Sequence, residues 1–126
     1  MNNLDGIFTK DPVTFAGAYL DYLGSVLKTI DTREIGCFVE TLLDARERGA
    51  TIYFIGNGGS AATASHFAND IGIGTNSYDK PFRAISLTDN QAIITATGND
   101  FGFEEIFVRQ LRVLACTGDI VVAISA

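Results

Sequence analysis

The sequence predicts an α/β protein in which a helical hairpin precedes a doubly wound parallel sheet. Apolar residues recur at helical spacing over about residues 12–48, which favours two amphipathic helices. From about residue 50 to residue 126, three short runs rich in β-branched and aromatic residues alternate with helical stretches. These runs lie about thirty residues apart, the length of a βαβ unit, so we expect the strands to be parallel.

Two capping patterns predict where the hairpin helices begin. Asp11 is an N-cap candidate with Pro12 at the first helical position, and Asp31 is followed by Glu34 three residues later. Gly49 then ends the second helix, because glycine readily adopts the left-handed conformation found at such ends. Packing against the rest of the fold accounts for the apolar faces of both helices. The alternative is that these faces form an interface in an oligomer.

Three strands and three helices follow the hairpin. The strands are predicted over residues 51–55, 83–87 and 120–125, and the helices over residues 60–71, 90–97 and 103–114. The third strand is a nearly continuous apolar run, which is typical of a strand buried on both faces. No turn or covering helix follows it, so we expect residues 1–126 to be the amino-terminal portion of one domain that continues further.

Composition and charge argue against several partners. Lys and Arg number 9 against 15 Asp and Glu, and the net charge is −6, so a surface for nucleic acid or an anionic membrane is not expected. Every apolar run is interrupted well before about 18 residues, the length that a transmembrane helix requires. The amino terminus lacks the basic and apolar pattern of a leader, which favours a cytoplasmic protein.

A glycine-rich turn follows the first predicted strand, and ligands of open α/β sheets bind beyond the carboxyl ends of the strands. Its sequence is Gly56-Asn57-Gly58-Gly59-Ser60. The glycines let the backbone approach a ligand closely, and Ser60 begins a helix whose free amides favour an anion. The turn fits a phosphate cradle, although it matches neither the dinucleotide nor the P-loop motif. The alternative is an ordinary turn in which Ser60 is the N-cap.

The next helix carries the one histidine of the sequence, His66. Asp70 lies four residues later, so both side chains share one face of the helix, opposite to Ala61, Ala64 and Ala68. An imidazole and a carboxylate at this spacing can ligate a divalent metal or act as an acid–base pair. A solvated polar face is the alternative. One copy of this chain cannot supply a site that needs two histidines.

Residues 98–103, with the sequence Gly-Asn-Asp-Phe-Gly-Phe, form a third polar cluster that joins two predicted helices. Two interpretations remain open for it. Asn99 or Asp100 caps the second of these helices, or the two side chains bind hydroxyl groups of a ligand.

The glycine-rich turn with His66, the cluster at residues 98–103, and Gly118-Asp119 leading to Ser125 together resemble the sugar isomerase (SIS) domain family. Within that family the resemblance is nearest to the phosphoheptose isomerases, and it extends from the hairpin to the last residue. It implies a flavodoxin-like SIS fold and an aldose–ketose isomerisation of a sugar phosphate such as sedoheptulose 7-phosphate.

The resemblance also implies which residues form the site. It assigns substrate binding to seven positions, which are Asn57, Gly58, Gly59, Ser60, Asn99, Asp100 and Ser125. Proton transfer and two zinc ligands fall to Asp70 and His66. The family enzymes are homotetramers whose active sites lie between subunits, and the resemblance implies the same assembly here.

Two departures from the family pattern leave a second function open. The family has glutamate where this chain has Asp70, which is one methylene shorter. The family's serine-rich loop, second histidine and glutamine ligand have no counterpart before Ala126, so at most half of a zinc site is present. A phosphosugar isomerase is therefore the first hypothesis. The alternative is a non-catalytic SIS module that binds a sugar phosphate or a protein partner as a regulator.

Overall fold

The structure is a computed structural model that describes residues 4–125. Contacts between residues divide the chain into two compact units, Met1–Cys37 and Phe38–Ala126, and the division falls inside a helix. The units are therefore described separately. That the whole sequence belongs to a single domain stays a prediction.

The first unit contains a short helix α1 (Leu4–Ile7), helix α2 (Pro12–Leu27) and the beginning of helix α3 (Thr32–Arg48). The predicted starts of α2 and α3 are confirmed. The Asp11 carboxylate accepts a hydrogen bond from the Thr14 amide at 2.9 Å, and Asp31 accepts one from the Arg33 amide at 2.9 Å. These bonds, together with those from the Thr14 hydroxyl and the Arg33 guanidinium, hold the pKa of both carboxyl groups below the usual value.

The second unit contains the predicted parallel sheet. Strands β1 (Thr51–Gly56), β2 (Arg83–Ser86) and β3 (Ile120–Ile124) are arranged in the order β2-β1-β3, and both pairs with β1 are parallel. The first crossover leads from β1 to the edge strand β2, and the second leads from β2 past β1 to the opposite edge strand β3, as in a doubly wound fold. Helix α4 (Gly59–Asn69) connects β1 to β2, and helices α5 (Gln91–Phe101) and α6 (Val108–Leu114) lie between β2 and β3.

The core forms on the face of the sheet to which Ile52 and Phe54 point, since alternate side chains of a strand share a face. Both side chains are fully buried and pack with Ala64 and Ala68 of α4 and with the second half of α3. The small alanines let α4 approach the sheet closely. Tyr53 points to the opposite face, where its hydroxyl donates to the Leu114 carbonyl of α6 at 2.8 Å.

The prediction that the third strand is buried on both faces is wrong for the described structure. Val121 of β3 is 45% exposed, and Ile85 of β2 is 44% exposed on the same face. Only the central strand is covered on both faces, because α6 packs over Tyr53 and leaves both edge strands open on that side.

Three predicted helices also differ from the observed ones. Helix α4 continues into one π-helical turn, Asp70–Gly74, and α5 extends to Phe101 instead of ending near Thr97. The helix predicted over residues 103–114 is divided into a 3-10 turn, Phe103–Glu105, and α6. None of the helices in the described part of the chain is both long and apolar enough to cross a bilayer.

Candidate functional site

The turn between β1 and α4 has a backbone that only glycine allows at two positions. A β-carbon at Gly56 would lie 2.7 Å from the Ser60 carbonyl oxygen, and Gly58 has φ of +55° and ψ of −122°. The turn closes through hydrogen bonds from the Ser60 amide to the Asn57 carbonyl at 3.0 Å and from the Ala61 amide to the Gly58 carbonyl at 3.1 Å. The sequence prediction of a tight, glycine-dependent turn is therefore confirmed.

This turn forms one wall of an open cavity of about 780 Å³ at the carboxyl edge of the sheet. Asn57, Gly59 and Ser60 line it from the turn, and Ser125 lines it from the end of β3. The side chains of Asn57, Ser60 and Ser125 make no hydrogen bond to any described residue. The structure thus brings together polar groups from two strands and leaves their hydrogen-bonding capacity for a ligand.

The electrostatics of this cavity come from neutral groups. No lysine or arginine is among its described lining residues, and α4 begins at Gly59 with its amino-terminal end at the cavity. Gly58 precedes α4 without capping it through a side chain. Free amides and the helix dipole at such an end favour an anion, and two hydroxyl groups add further donors.

A second groove, of about 550 Å³, runs along the outer face of α4 and contains His66 and Asp70. His66 Nδ1 lies 2.9 Å from an oxygen of the Asp70 carboxylate, and the side chains are 77% and 58% exposed. The predicted pairing across one helical turn is confirmed, and the π-helical turn that starts at Asp70 does not disturb it. Nδ1 is the ring nitrogen in this contact, and an imidazole nitrogen can exchange a proton or bind a metal.

Thr63 lines both the cavity and the groove, so the two are neighbours along one face of α4. Its position three residues after Ser60 and three before His66 produces this, because residues three apart share a helix face.

Asn99 and Asp100 are not part of either space. Both are exposed in the last turn of α5, where the Asn99 amide donates to the Asp100 carboxylate at 2.8 Å, and neither lines the cavity or the groove. The interpretation of either residue as a cap of the following helix is wrong, because α5 does not end until Gly102, which has φ of +104°. Hydroxyl binding by these two residues stays a prediction.

A cluster of hydroxyl groups holds α4 against the carboxyl end of β2. Ser65 and Thr88 hydroxyl oxygens are 2.9 Å apart, Ser86 and Thr88 are 2.6 Å apart, and Ser65 also donates to the Asp89 carboxylate. The Thr88 hydroxyl lies 3.3 Å from the Ala61 carbonyl in the first turn of α4. These bonds position the helix that carries the turn, Thr63 and His66, and nothing in the spacing of these residues along the sequence predicted them.

Phe107 also lines the cavity, and the sequence did not suggest a role for it in the site. It precedes α6 and faces the cavity together with Ala123 and Ile124 of β3. No local sequence signal marks it, since an aromatic residue at a helix start has no associated motif.

Comparisons with known proteins agree with this geometry. Residues 18–126 match the family model of the SIS domain. The chain is 47% identical over 92 residues to the phosphoheptose isomerase of Geotalea uraniireducens, covering 73% of this chain and 49% of that protein. It is 46% identical over 92 residues to that of Geobacter sulfurreducens, covering 72% and 48%. The chain spans about half the length of the curated relatives that it matches.

Two solved structures share the fold. A phosphoheptose isomerase from Francisella tularensis matches with a TM-score of 0.78 at 27% identity, over 100% of this chain and 63% of that one. The phosphoheptose isomerase of Neisseria gonorrhoeae matches with a TM-score of 0.61 at 30% identity, over 88% and 60%. The described helices and strands are therefore those of an α/β fold found in solved phosphoheptose isomerases.

Proposed function

The chain belongs to the SIS domain family, and we propose that the protein is an isomerase that interconverts the aldose and ketose forms of a sugar phosphate. One observation carries the proposal. An open cavity with unpaired polar groups adjoins a groove that holds a histidine–carboxylate pair, and Thr63 belongs to both. A substrate with an anionic end and a reactive carbonyl end matches this pair of spaces. The relatives' name, phosphoheptose isomerase, supports a heptose phosphate such as sedoheptulose 7-phosphate.

The phosphate end is proposed to lie at the glycine-rich turn. Amides of Gly58 and Gly59 and the hydroxyl groups of Ser60 and Ser125 supply donors, and the amino-terminal end of α4 supplies a favourable field. Asn57 is positioned to bond either the phosphate or the nearest sugar hydroxyl. Because neither Lys nor Arg is among the described residues that line the cavity, binding is proposed to depend on hydrogen-bond geometry more than on net charge.

The isomerisation needs one group that moves a proton between neighbouring carbons. We assign this to the Asp70 carboxylate, which removes the proton from the carbon next to the carbonyl and returns it to the former carbonyl carbon through an enediolate. A proton moves between the two substrate oxygens at the same time, so the reaction is balanced without a co-reactant. His66 contacts Asp70 through Nδ1 and lines the same groove, where its imidazole is proposed to carry the oxygen-bound proton.

Zinc is the metal that the family resemblance implies, and the groove fits it in part. An imidazole nitrogen and a carboxylate oxygen are ordinary zinc ligands, and those of His66 and Asp70 are 2.9 Å apart. No group of three or more His, Cys, Asp or Glu side chains able to hold a metal occurs in the described residues. We propose that these two residues supply two ligands of a site completed elsewhere. When bound, zinc would polarise the carbonyl of the sugar.

Assembly and location complete the proposal. The exposed groove on α4 and the apolar side chains exposed on α2 support a homo-oligomer, proposed as a tetramer, whose neighbouring subunit completes the site. We place the reaction in the cytoplasm, where phosphorylated sugars are retained by their charge.

A regulatory SIS module is the second candidate. The observation that favours it is the incomplete ligand set, because two donors do not make a tetrahedral zinc site. Such a module would bind the sugar phosphate at the turn between β1 and α4 without converting it.

The decisive experiment is turnover of sedoheptulose 7-phosphate by the full-length gene product, with and without added zinc, compared among Asp70→Asn, Asp70→Glu and the control Asp79→Asn. Asp79 is an exposed carboxylate of the same unit with no contact to the site. We expect Asp70→Asn to lose at least about 10²-fold in kcat, because the amide cannot accept the proton. The Glu variant should retain activity and the control should match the parent. Full activity of Asp70→Asn would exclude Asp70 as the base, and ligand-induced thermal stabilisation without turnover would favour the regulatory module.

A further inference from the structure

Phe107 occupies a position for which local structure does not require an aromatic side chain. It is the residue before α6 and already has helical backbone angles, with φ of −97° and ψ of −42°. Its side chain makes no hydrogen bond that caps the helix. An aromatic side chain at this position therefore serves either the packing of the fold or the site.

The hydrophobic core does not account for Phe107. The partly buried apolar residues that pack on the core around Ile52 and Phe54 include Phe67 and Phe82 but not Phe107. Within the described chain, Phe107 makes no contact with another aromatic ring, whereas Phe67 contacts both Phe54 and Phe38. Phe107 is half-buried, and its free side lines the cavity.

The lining of the cavity combines polar and apolar residues. The polar ones include Asn57 and Ser60, and the apolar ones include Phe107 and Ala123. Phe107 is the one aromatic residue among the described lining residues. Pockets for small molecules commonly combine an apolar surface with a few polar groups that fix the orientation of the ligand.

We propose that Phe107 is a specificity-determining residue that packs against the carbon chain of the bound sugar phosphate. This proposal rests on the proposed function. The C–H bonds of a sugar phosphate form an apolar surface beside its hydroxyl groups, and Phe107 offers an aromatic surface in the same cavity as the phosphate donors. Inorganic phosphate has no such surface. Phe107 therefore distinguishes a sugar phosphate from phosphate alone, whereas the turn residues bind both.

The test measures dissociation constants of sedoheptulose 7-phosphate and of inorganic phosphate by calorimetry on the full-length gene product. Phe107→Leu and Phe107→Ala are compared with the parent and with Phe82→Leu. Phe82 is a matched control because it is also half-buried but lies at the amino end of β2, away from the cavity. We expect Phe107→Ala to weaken sugar phosphate binding about tenfold, which corresponds to about 1.4 kcal/mol, with phosphate affinity unchanged. Phe82→Leu should change neither affinity.

Thermal melting of each variant separates a role in binding from a role in folding. A lower melting temperature of Phe107→Leu with an unchanged ratio of the two affinities would make Phe107 a packing residue and overturn the proposal. Equal weakening of both ligands would overturn it as well. If the parent binds phosphate but no sugar phosphate, the proposed function fails and this proposal fails with it. If the parent binds both and the Phe107 variants do the same, only this proposal fails.

Discussion

The strands of the sheet begin at one side, called here the amino edge, and end at the other, the carboxyl edge. The two sides use their polar groups in different ways. At the amino edge, the Asp119 carboxylate accepts hydrogen bonds from the Thr51 and Cys116 amides, each at 2.8 Å. At the carboxyl edge, the side chains of Ser60 and Ser125 bond to none of the described residues. The three parallel strands thus begin beside a carboxylate paired with backbone amides, next to an open pocket of about 490 Å³. They end at a cavity whose two serine side chains bond to none of the described residues.

Charged groups add to this pairing at the amino edge. The Arg48 guanidinium donates to the Gly118 carbonyl at 2.8 Å and pairs with Asp44 at 2.8 Å. The amide of Cys116, then that of Thr51, and to a smaller degree the charges of Arg83 and Arg48, hold the pKa of Asp119 below the usual carboxyl value. These contacts connect the segments that meet at the start of the strands and stabilise the fold.

The difference places the expected substrate site at the carboxyl edge, because unpaired donors converge there on a turn held in place by backbone hydrogen bonds. Asn57 and Ser125 are exposed and Ser60 is half-buried. These side chains can therefore exchange water for a ligand without breaking a bond among the described residues. Substitutions at the two edges should separate binding from stability.

The largest effect is expected from Gly56→Ala at the carboxyl edge. Its new methyl group would lie 2.7 Å from the Ser60 carbonyl oxygen and 2.9 Å from the Ser60 β-carbon, so the turn has to move. We expect loss of measurable sugar phosphate binding together with destabilisation of about 1–3 kcal/mol, measured by calorimetry and chemical denaturation. In Gly36→Ala, the control, nothing lies within 4 Å of the added methyl group in α3. The control should gain about 0.5–1 kcal/mol in stability. Intact binding by Gly56→Ala would contradict the described turn.

A smaller and opposite effect is expected from Asp119→Asn at the amino edge. The amide side chain keeps one acceptor, so one of the two backbone amides loses its partner. We expect the melting temperature to fall by a few degrees while sugar phosphate affinity stays unchanged. Weaker binding with unchanged stability would remove the distinction between the edges.

The effect of Asp119→Asn should depend on pH in a defined direction. Because the folded-state pKa of Asp119 is lowered from the usual 3.8, its carboxylate stabilises the fold at pH values above 3.8. That contribution disappears as the pH falls through the lowered pKa. The difference in melting temperature between parent and variant should be constant above about pH 5 and shrink towards zero in stronger acid. A difference that grows in acid would contradict the hydrogen bonds assigned to Asp119.

The sequence was informative where a local rule determines the structure. Asp11 and Asp31 predicted two helix starts because their side chains bond nearby amides, and apolar runs predicted all three strands. The sequence placed the end of α5 too early, because Gly98 stays helical and Gly102 has the left-handed conformation that ends the helix. Glycine fits both roles, so its identity alone does not decide between them.

The candidate site was predictable along α4 and at the end of β3, where the resemblance placed Ser125 and the structure has it in the cavity lining, but not elsewhere in the fold. The glycine-rich turn, His66 and Asp70 follow from spacing within one turn and one helix. Phe107 and the hydroxyl cluster around Thr88 depend on tertiary packing between segments far apart in the chain, which no local pattern encodes.

The most direct test is a nuclear magnetic resonance titration of the isotope-labelled full-length gene product with sedoheptulose 7-phosphate. The backbone amide signals of both edges are followed in one experiment. Ligand-dependent shifts are predicted for Gly58, Gly59 and Ser60 at the carboxyl edge, with Thr51 and Cys116 at the amino edge unchanged. Shifts concentrated at Thr51 and Cys116, or no shift at either edge at saturating sugar phosphate, would contradict the assignment of the carboxyl edge as the substrate site.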